Sequence, residues 1–334
     1  MPPTVDPIAL ARKLSDGYLF PGALEVDAAP IVPVERLERL AAAGFYGLAG
    51  PADAGGMGIP DPATALEIIE IMASGCLTTT FVWIQHHGAV RALAEAPATL
   101  RDAWLERLCT GAVRAGVAFS GLRRPGPPIL VAAPDDDGWR FTGYAPWVTG
   151  WGRVDVVRAA ARRENGDIVW ALVDATAGAT LQAEPVRLAA VNASATVTLR
   201  FDDHPVPAGR VTSIQPFAEW QAADRANLRL NGSLALGVAR RCATLLESER
   251  LEAEVLEHRE ALDAATPETM PEQRARASEL ALRAATTLVV AGGGRAIAMD
   301  HQAQRLAREA IFLLVFGQTA AIKAAQLHRL SPRS

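Results

Sequence analysis

The apolar pattern along this 334-residue chain changes period twice, and that switch constrains the fold more than any single motif. Residues 34–43 repeat apolar side chains at helical spacing and stop at Gly44; residues 63–74 (ATALEIIEIMAS) do the same behind Asp61 or Pro62 as a start signal. Residues 81–94 and 100–108 continue the helical period, and PADAGGMGIPDP is a Gly/Pro loop between the first two helices. Near residue 116 the pattern shortens. Residues 116–119, 130–133, 139–143, 154–159, 168–174, 180–183 and 195–201 alternate or are β-branched, and Gly, Pro, Asp and Asn clusters separate them. Strands this closely spaced predict a compact β-barrel or sandwich. After PVPAGRV the helical period returns over 219–265, as one long helix or a pair, then over 273–299 and 302–329. Pro271 suits the first position of a helix. The short Gly/Pro junctions predict segments packed into one body.

Composition narrows the function classes. Half the residues are apolar and 21% are charged, enough to bury a core and too apolar for a disordered chain. Net charge is -4 with the signs interspersed, and no basic stripe offers a nucleic-acid footprint. Cys76, Cys109 and Cys242 lie far apart without a CxxC pair, which speaks against a disulfide framework or a metal knuckle and predicts a reducing cytoplasm. The start MPPTVDPIALARKL has no signal pattern, and apolar runs such as 310–316 fall short of the roughly 20 residues that span a bilayer, so no membrane partner is expected.

Five strings, in order, resemble the acyl-CoA dehydrogenase family of flavoproteins. They are GFYGLAGPADAGGMGIP, AFSGL at 118–122, GWRFTGYAPWVTGWGRVDVVRAAAR, VTLRFDDHPVPAGRV and AGGGRAIAMDHQAQRLAREAIFLLVFGQT. The resemblance covers most of the chain. It implies an α+β, mostly α architecture: a helical N-terminal domain (1–115), a middle β-barrel domain (116–214) and a C-terminal four-helix bundle (215–330). It also implies FAD, an acyl-CoA or carrier-linked acyl substrate, and a homo-oligomer, dimer or tetramer.

Carried over residue by residue, the resemblance places Trp147, Val148 and Thr149 against the isoalloxazine ring, with Phe119 and Ser120 on the adjacent strand. A flat aromatic covers a ring face while hydroxyl and backbone N–H groups bond its polar edge. The plain alternative is that Trp147 and Trp151 are ordinary barrel aromatics. Gly292, Gly293 and Gly294 would let backbone approach a cofactor phosphate, or simply break a helix. Gln318 and Thr319 match the end of the family's Y-E-G-T turn. Arg305 and Arg308, one turn apart, suit ion pairs across the bundle.

The departures bear on chemistry. Removing an α-proton needs a base, and the family's Glu in Y-E-G-T is replaced here by Gly317. The alternative Glu position early in the bundle falls on Asn227 or Leu228, neither of them acidic, which leaves Asp224 as the nearby substitute base. RRPGPP stands where the CoA-holding A-G-S-D string would be, and no R-x-x-F-G string occurs between Arg240 and Pro271. His86 and His87 could serve as acid or base near a reduced flavin, though packing on a helix face is the plainer role. No His has a Glu or Cys partner at metal-ligand spacing. Three readings result: α,β-dehydrogenation of an acyl thioester, a reduced-flavin-dependent monooxygenase on the same scaffold, or a degenerate subunit in a hetero-oligomer with an active homologue.

Overall fold

The computed structural model describes residues 6–331 except Pro60 and Asn227. Its first part is helical: α1 (Pro7–Leu14), α2 (Ala23–Ala28), α3 (Val34–Ala42), α4 (Pro62–Gly75), α5 (Leu77–Ile84), α6 (His87–Ala94) and α7 (Ala98–Cys109). Local chemistry sets these bounds. Asp61 accepts hydrogen bonds from the N–H groups of Ala63 at 3.0 Å and Thr64 at 3.3 Å, and Pro62 begins α4. Gly44, at φ +81°, turns the chain out of α3 in a conformation other residues resist. The single helix expected over 81–94 is two, because the backbone tightens at His86, whose N–H bonds Trp83 O at 3.2 Å.

Eight strands follow: β1 (Ala115–Ala118), β2 (Leu130–Asp135), β3 (Gly138–Val148), β4 (Val156–Arg162), β5 (Ile168–Asp174), β6 (Leu181–Pro185), β7 (Val197–Pro207) and β8 (Val211–Gln215). Their order is β6-β7-β3-β2-β4-β5-β8, with β1 parallel to β4. The expected barrel is not formed: the sheet is open. Its two antiparallel halves meet at one parallel pair, Val131 with Arg162. The end strands β6 and β8 run into Pro185 and Pro216, which have no N–H with which to extend a ladder. Phe141, Val157, Val169, Leu199 and Phe201 belong to the core of the sheet.

The last part is α8 (Phe217–Ala226), α9 (Leu228–Leu245), α10 (Glu249–Asp263), α11 (Met270–Gly292), α12 (Gln302–Val315) and α13 (Ala320–Leu330). The expected run over 219–265 is parted where Glu247, at φ +49°, and the N-cap Ser248 begin α10. The run over 302–329 is two, parted at Gly317, φ +62°. α11 with the turn behind it, Met270–Ile297, is the one stretch among the described residues long and apolar enough, by length and composition, to cross a membrane. Here Ala277, Leu280, Ala281, Ala284 and Ala285 bury its inner face in the bundle. One continuous core joins the first helices to these, from Leu14 and Ile71 to Leu234, Leu280 and Leu313.

Candidate functional site

A bulge in β3 shapes the first half of the site. Pairing of β3 with β7 slips between Ala145 and Val148, so Val148 returns inward, fully buried, while Trp147 is left outside the ladder. Trp147 sits at φ +63° with 59% of its surface exposed. A bulky residue in the left-handed region is strained by about 1–2 kcal/mol, and strain of this kind concentrates at functional positions. Next to it, Thr149 is buried. Its hydroxyl meets Thr196 Oγ1 at 3.2 Å, and Thr196 meets Ser194 Oγ at 2.9 Å. Ser120 donates to Pro146 O at 2.5 Å, tying the turn after β1 to the bulge. Phe119 is half-buried, with Trp170 and Trp220 at centroid distances of 6.1 and 6.2 Å.

The turn between α12 and α13 forms the second half. Thr319 caps α13, its hydroxyl accepting from Ile322 N–H at 3.3 Å, and Gln318 donates to Gln326 at 2.8 Å. A Cβ on Gly317 would lie 2.2 Å from Asn231 Nδ2, so this backbone has no room for a glutamate unless Asn231 moves. Asp224 accepts from Arg123 with both oxygens, from Nε at 2.8 Å and Nη2 at 2.7 Å. Leu228 is buried at the start of α9, and Asn227 lies outside the described residues.

Two connections bring these halves together. Within residues 119–123, Ser120 holds the β3 bulge while the Arg123 guanidinium lies beside Gly317, with Nη1 3.7 Å from that notional Cβ. In α5, Phe81 makes edge contacts with Phe312 and Phe316 at 5.1 and 4.9 Å, and Val82 approaches Gly150. The site is therefore bounded by the bulge, the Phe316–Thr319 turn and α5. Gly292, Gly293 and Gly294 stand apart at the exposed end of α11, with open space around Gly293 and Gly294. Gly293 has φ +61° and ψ -155°, a combination open essentially to glycine alone.

His86 accepts from Ala115 N–H at its Nδ1 (3.0 Å), which leaves Nε2 to donate to Leu108 O (3.1 Å). Burial pushes its pKa down to about 3, so it is neutral and structural. His87 is buried too, and neither ring nitrogen has a partner among the described residues; desolvation and the adjacent His86 lower its pKa. Arg305 pairs with Glu309 on its own helix at 2.6 Å, while Arg308 reaches Asp27 of α2 and Ala189 O. Among the described residues no group of three or more His, Cys, Asp or Glu could hold a metal.

The sequence reading missed Asn231 and Arg274 as residues of this region. Both lie on amphipathic helices, where a polar residue reads as solvated, and only the tertiary structure turns them inward. It passed over Arg123 as part of a missing motif, although its place three residues after Ser120 was visible.

The family model for the acyl-CoA dehydrogenase N-terminal domain matches residues 8–112. The probable acyl-CoA dehydrogenase fadE25 of Mycobacterium leprae is 23% identical over 211 residues, 61% of this chain and 54% of that protein. The chain spans about half the length of the curated relatives it matches. The structure of butyryl-CoA dehydrogenase from Megasphaera elsdenii superposes with TM-score 0.82 at 16% identity, covering 99% of each chain. A glutaryl-CoA dehydrogenase from Mycobacterium smegmatis, in complex with FADH2, gives TM-score 0.80 at 18% identity, covering 100% of this chain and 96% of that one. Residues 8–112 thus match the acyl-CoA dehydrogenase N-terminal domain, and the helix–sheet–helix order of the whole chain is the acyl-CoA dehydrogenase fold.

Proposed function

We propose that this chain is an FAD-dependent oxidoreductase acting on an acyl thioester, CoA- or carrier-linked, in the cytoplasm. The observation that carries the reading is Trp147, a large aromatic held in strained left-handed backbone and exposed where a flat ring can cover it. Bound FAD would supply the two-electron acceptor that no side chain provides. Trp147 would cover one ring face, and the β3 backbone beyond it would meet the polar edge. The Thr149 hydroxyl is already shared with Thr196 and orients that backbone. The open space at Gly293 and Gly294 leaves room for a phosphate against backbone. Val290, Ile297, Met299, Ile311 and Val315, all more than half exposed, support self-association through the outer face of the bundle.

The proton acceptor decides which oxidoreduction this is. Asp224 is the acid available for α,β-dehydrogenation, and it can accept a proton only by giving up its fork with Arg123. That engagement favours a second reading, oxygenation by reduced flavin and O2, which needs no α-proton base. Two outcomes separate them: butyryl-CoA bleaching bound FAD without oxygen, or O2 uptake only when reduced flavin is supplied.

The flavin assignment is tested with Trp147→Asn, since Asn tolerates the left-handed conformation. Flavin affinity should fall about tenfold or more, while the thermal midpoint stays near that of the parent, as for a surface change worth about 0.5 kcal/mol or less. An unchanged FAD absorbance titration would overturn the assignment.

A further inference from the structure

Arg274, on the first turns of α11, is 1% exposed, and among the described residues only one of its three guanidinium nitrogens, Nη2, has a partner, Phe316 O at 3.4 Å. Nε and Nη1 are buried without an acceptor among the described residues. A buried donor left unmatched is costly, more so when charged, so such a group calls for an explanation.

The charged groups that act on it are further donors, and the two nearby carboxylates are already engaged. Arg123 spends Nε and Nη2 on Asp224, and its remaining Nη1 faces Gly317. Arg229 is spent on Asp263 at 2.7 Å and Ser233 at 2.9 Å. Asn231 turns its amide nitrogen to Gly317. Burial, then Arg229 and Arg123, depress the pKa of Arg274 to about 9, which leaves it charged at neutral pH. Three guanidinium groups from three elements thus meet two carboxylates, and the uncompensated charge sits on the most buried of them.

We propose that Arg274, with Arg123 Nη1 and Asn231 Nδ2, forms a carboxylate-binding subsite beside the Phe316–Gly317 turn, which receives a carboxylate carried on the acyl group of the substrate. A guanidinium fork matches the two oxygens of a carboxylate, and a subsite rich in donors rejects the methyl-terminated analogue. Asn231 must swing away from Gly317 to admit the group. This rests on the acyl-thioester reading above and names the substrate class for it.

The test compares succinyl-CoA with butyryl-CoA, which have equal chain length, bound to the flavin-loaded protein and to Arg274→Met and Arg274→Lys. The parent should bind succinyl-CoA about tenfold tighter or more, and Arg274→Met should lose that preference while keeping its affinity for butyryl-CoA. Without ligand, Arg274→Met should unfold at a higher temperature than the parent, because an unpaired buried charge has been removed. If Arg274→Met does not fold, Arg274→Lys serves, and it should lose most of the preference with the planar fork. No preference in the parent, or one that survives either substitution, overturns the proposal. So does competition by sulfate as effective as by succinate, or free succinate binding without any preference between the thioesters. FAD content measured on the same samples keeps the two readings apart. Flavin without a succinyl preference rejects the subsite alone. A succinyl preference without flavin retains the subsite and rejects the oxidoreductase.

Discussion

His86 is neutral because burial disfavours its charged form, and protonation would also cost the backbone bond from Ala115 at Nδ1. In the unfolded chain its imidazole takes up a proton near 6.5, and in the fold only near 3. Between those values the unfolded state holds more protons, so stability rises with pH; the contribution is whole above about 6.5 and is lost as pH falls toward 3. The slope is about 1.4 kcal/mol per pH unit at most, hence about 2 kcal/mol between neutrality and pH 5. His87, lowered in the same direction, steepens it. Urea midpoints should fall less between about pH 7 and pH 5 in His86→Gln than in the parent. An equal fall in both proteins would assign the acid sensitivity elsewhere.

Among the elements, α4 and α9 approach each other closely. A Cβ on Gly237 would lie 2.4 Å from Glu70 O and 2.7 Å from Ala73 Cβ, so only glycine lets the two helices meet at this point. Gly237→Val must spread the crossing; a loss of about 3 kcal/mol is expected, at the upper end for overpacking a core. A thermal midpoint within a degree of the parent would mean that the crossing adjusts freely. Neither this crossing nor the pairing of β7 with β3 could be read along the chain, because both depend on residues far apart in sequence. What could be read was local: the Asp61–Pro62 start of α4, the β-branched run of β5, and the aromatic-hydroxyl string at 147–149. The turn at 316–319 came from the resemblance and not from the period, because Phe312 and Phe316 carry the helical spacing up to a lone glycine. β8 (VTSIQ) was too short and too polar to stand out. The barrel was expected because strand spacing reports how many strands there are, not whether the two ends meet.

At the scale of the molecule, the helices before and after the sheet share one core, and buried charge pins them together. Glu70 of α4 has no exposed side-chain surface and accepts a two-pronged bond from Arg259 of α10 at 2.5 and 2.9 Å, with Arg240 of α9 3.8 Å away. Arg241 of α9 donates to Ser74 O at 2.7 Å, and Arg308 of α12 holds Asp27 of α2. The candidate site lies across the same seam, since α5 comes from the first part and the Phe316–Thr319 turn from the last. Loosening the seam should therefore affect both stability and the site. Glu70→Gln leaves Arg259 partly buried beside a neutral amide and should cost about 3 kcal/mol, as expected when one partner of a buried pair is removed. Glu70→Met with Arg259→Met removes both charges and should recover most of that loss. If the double variant is as unstable as Glu70→Gln, packing of these side chains rather than their charge joins the two helical parts. If Glu70→Gln lowers stability but leaves FAD and acyl-CoA affinity unchanged, the seam supports the fold without setting the geometry of the site.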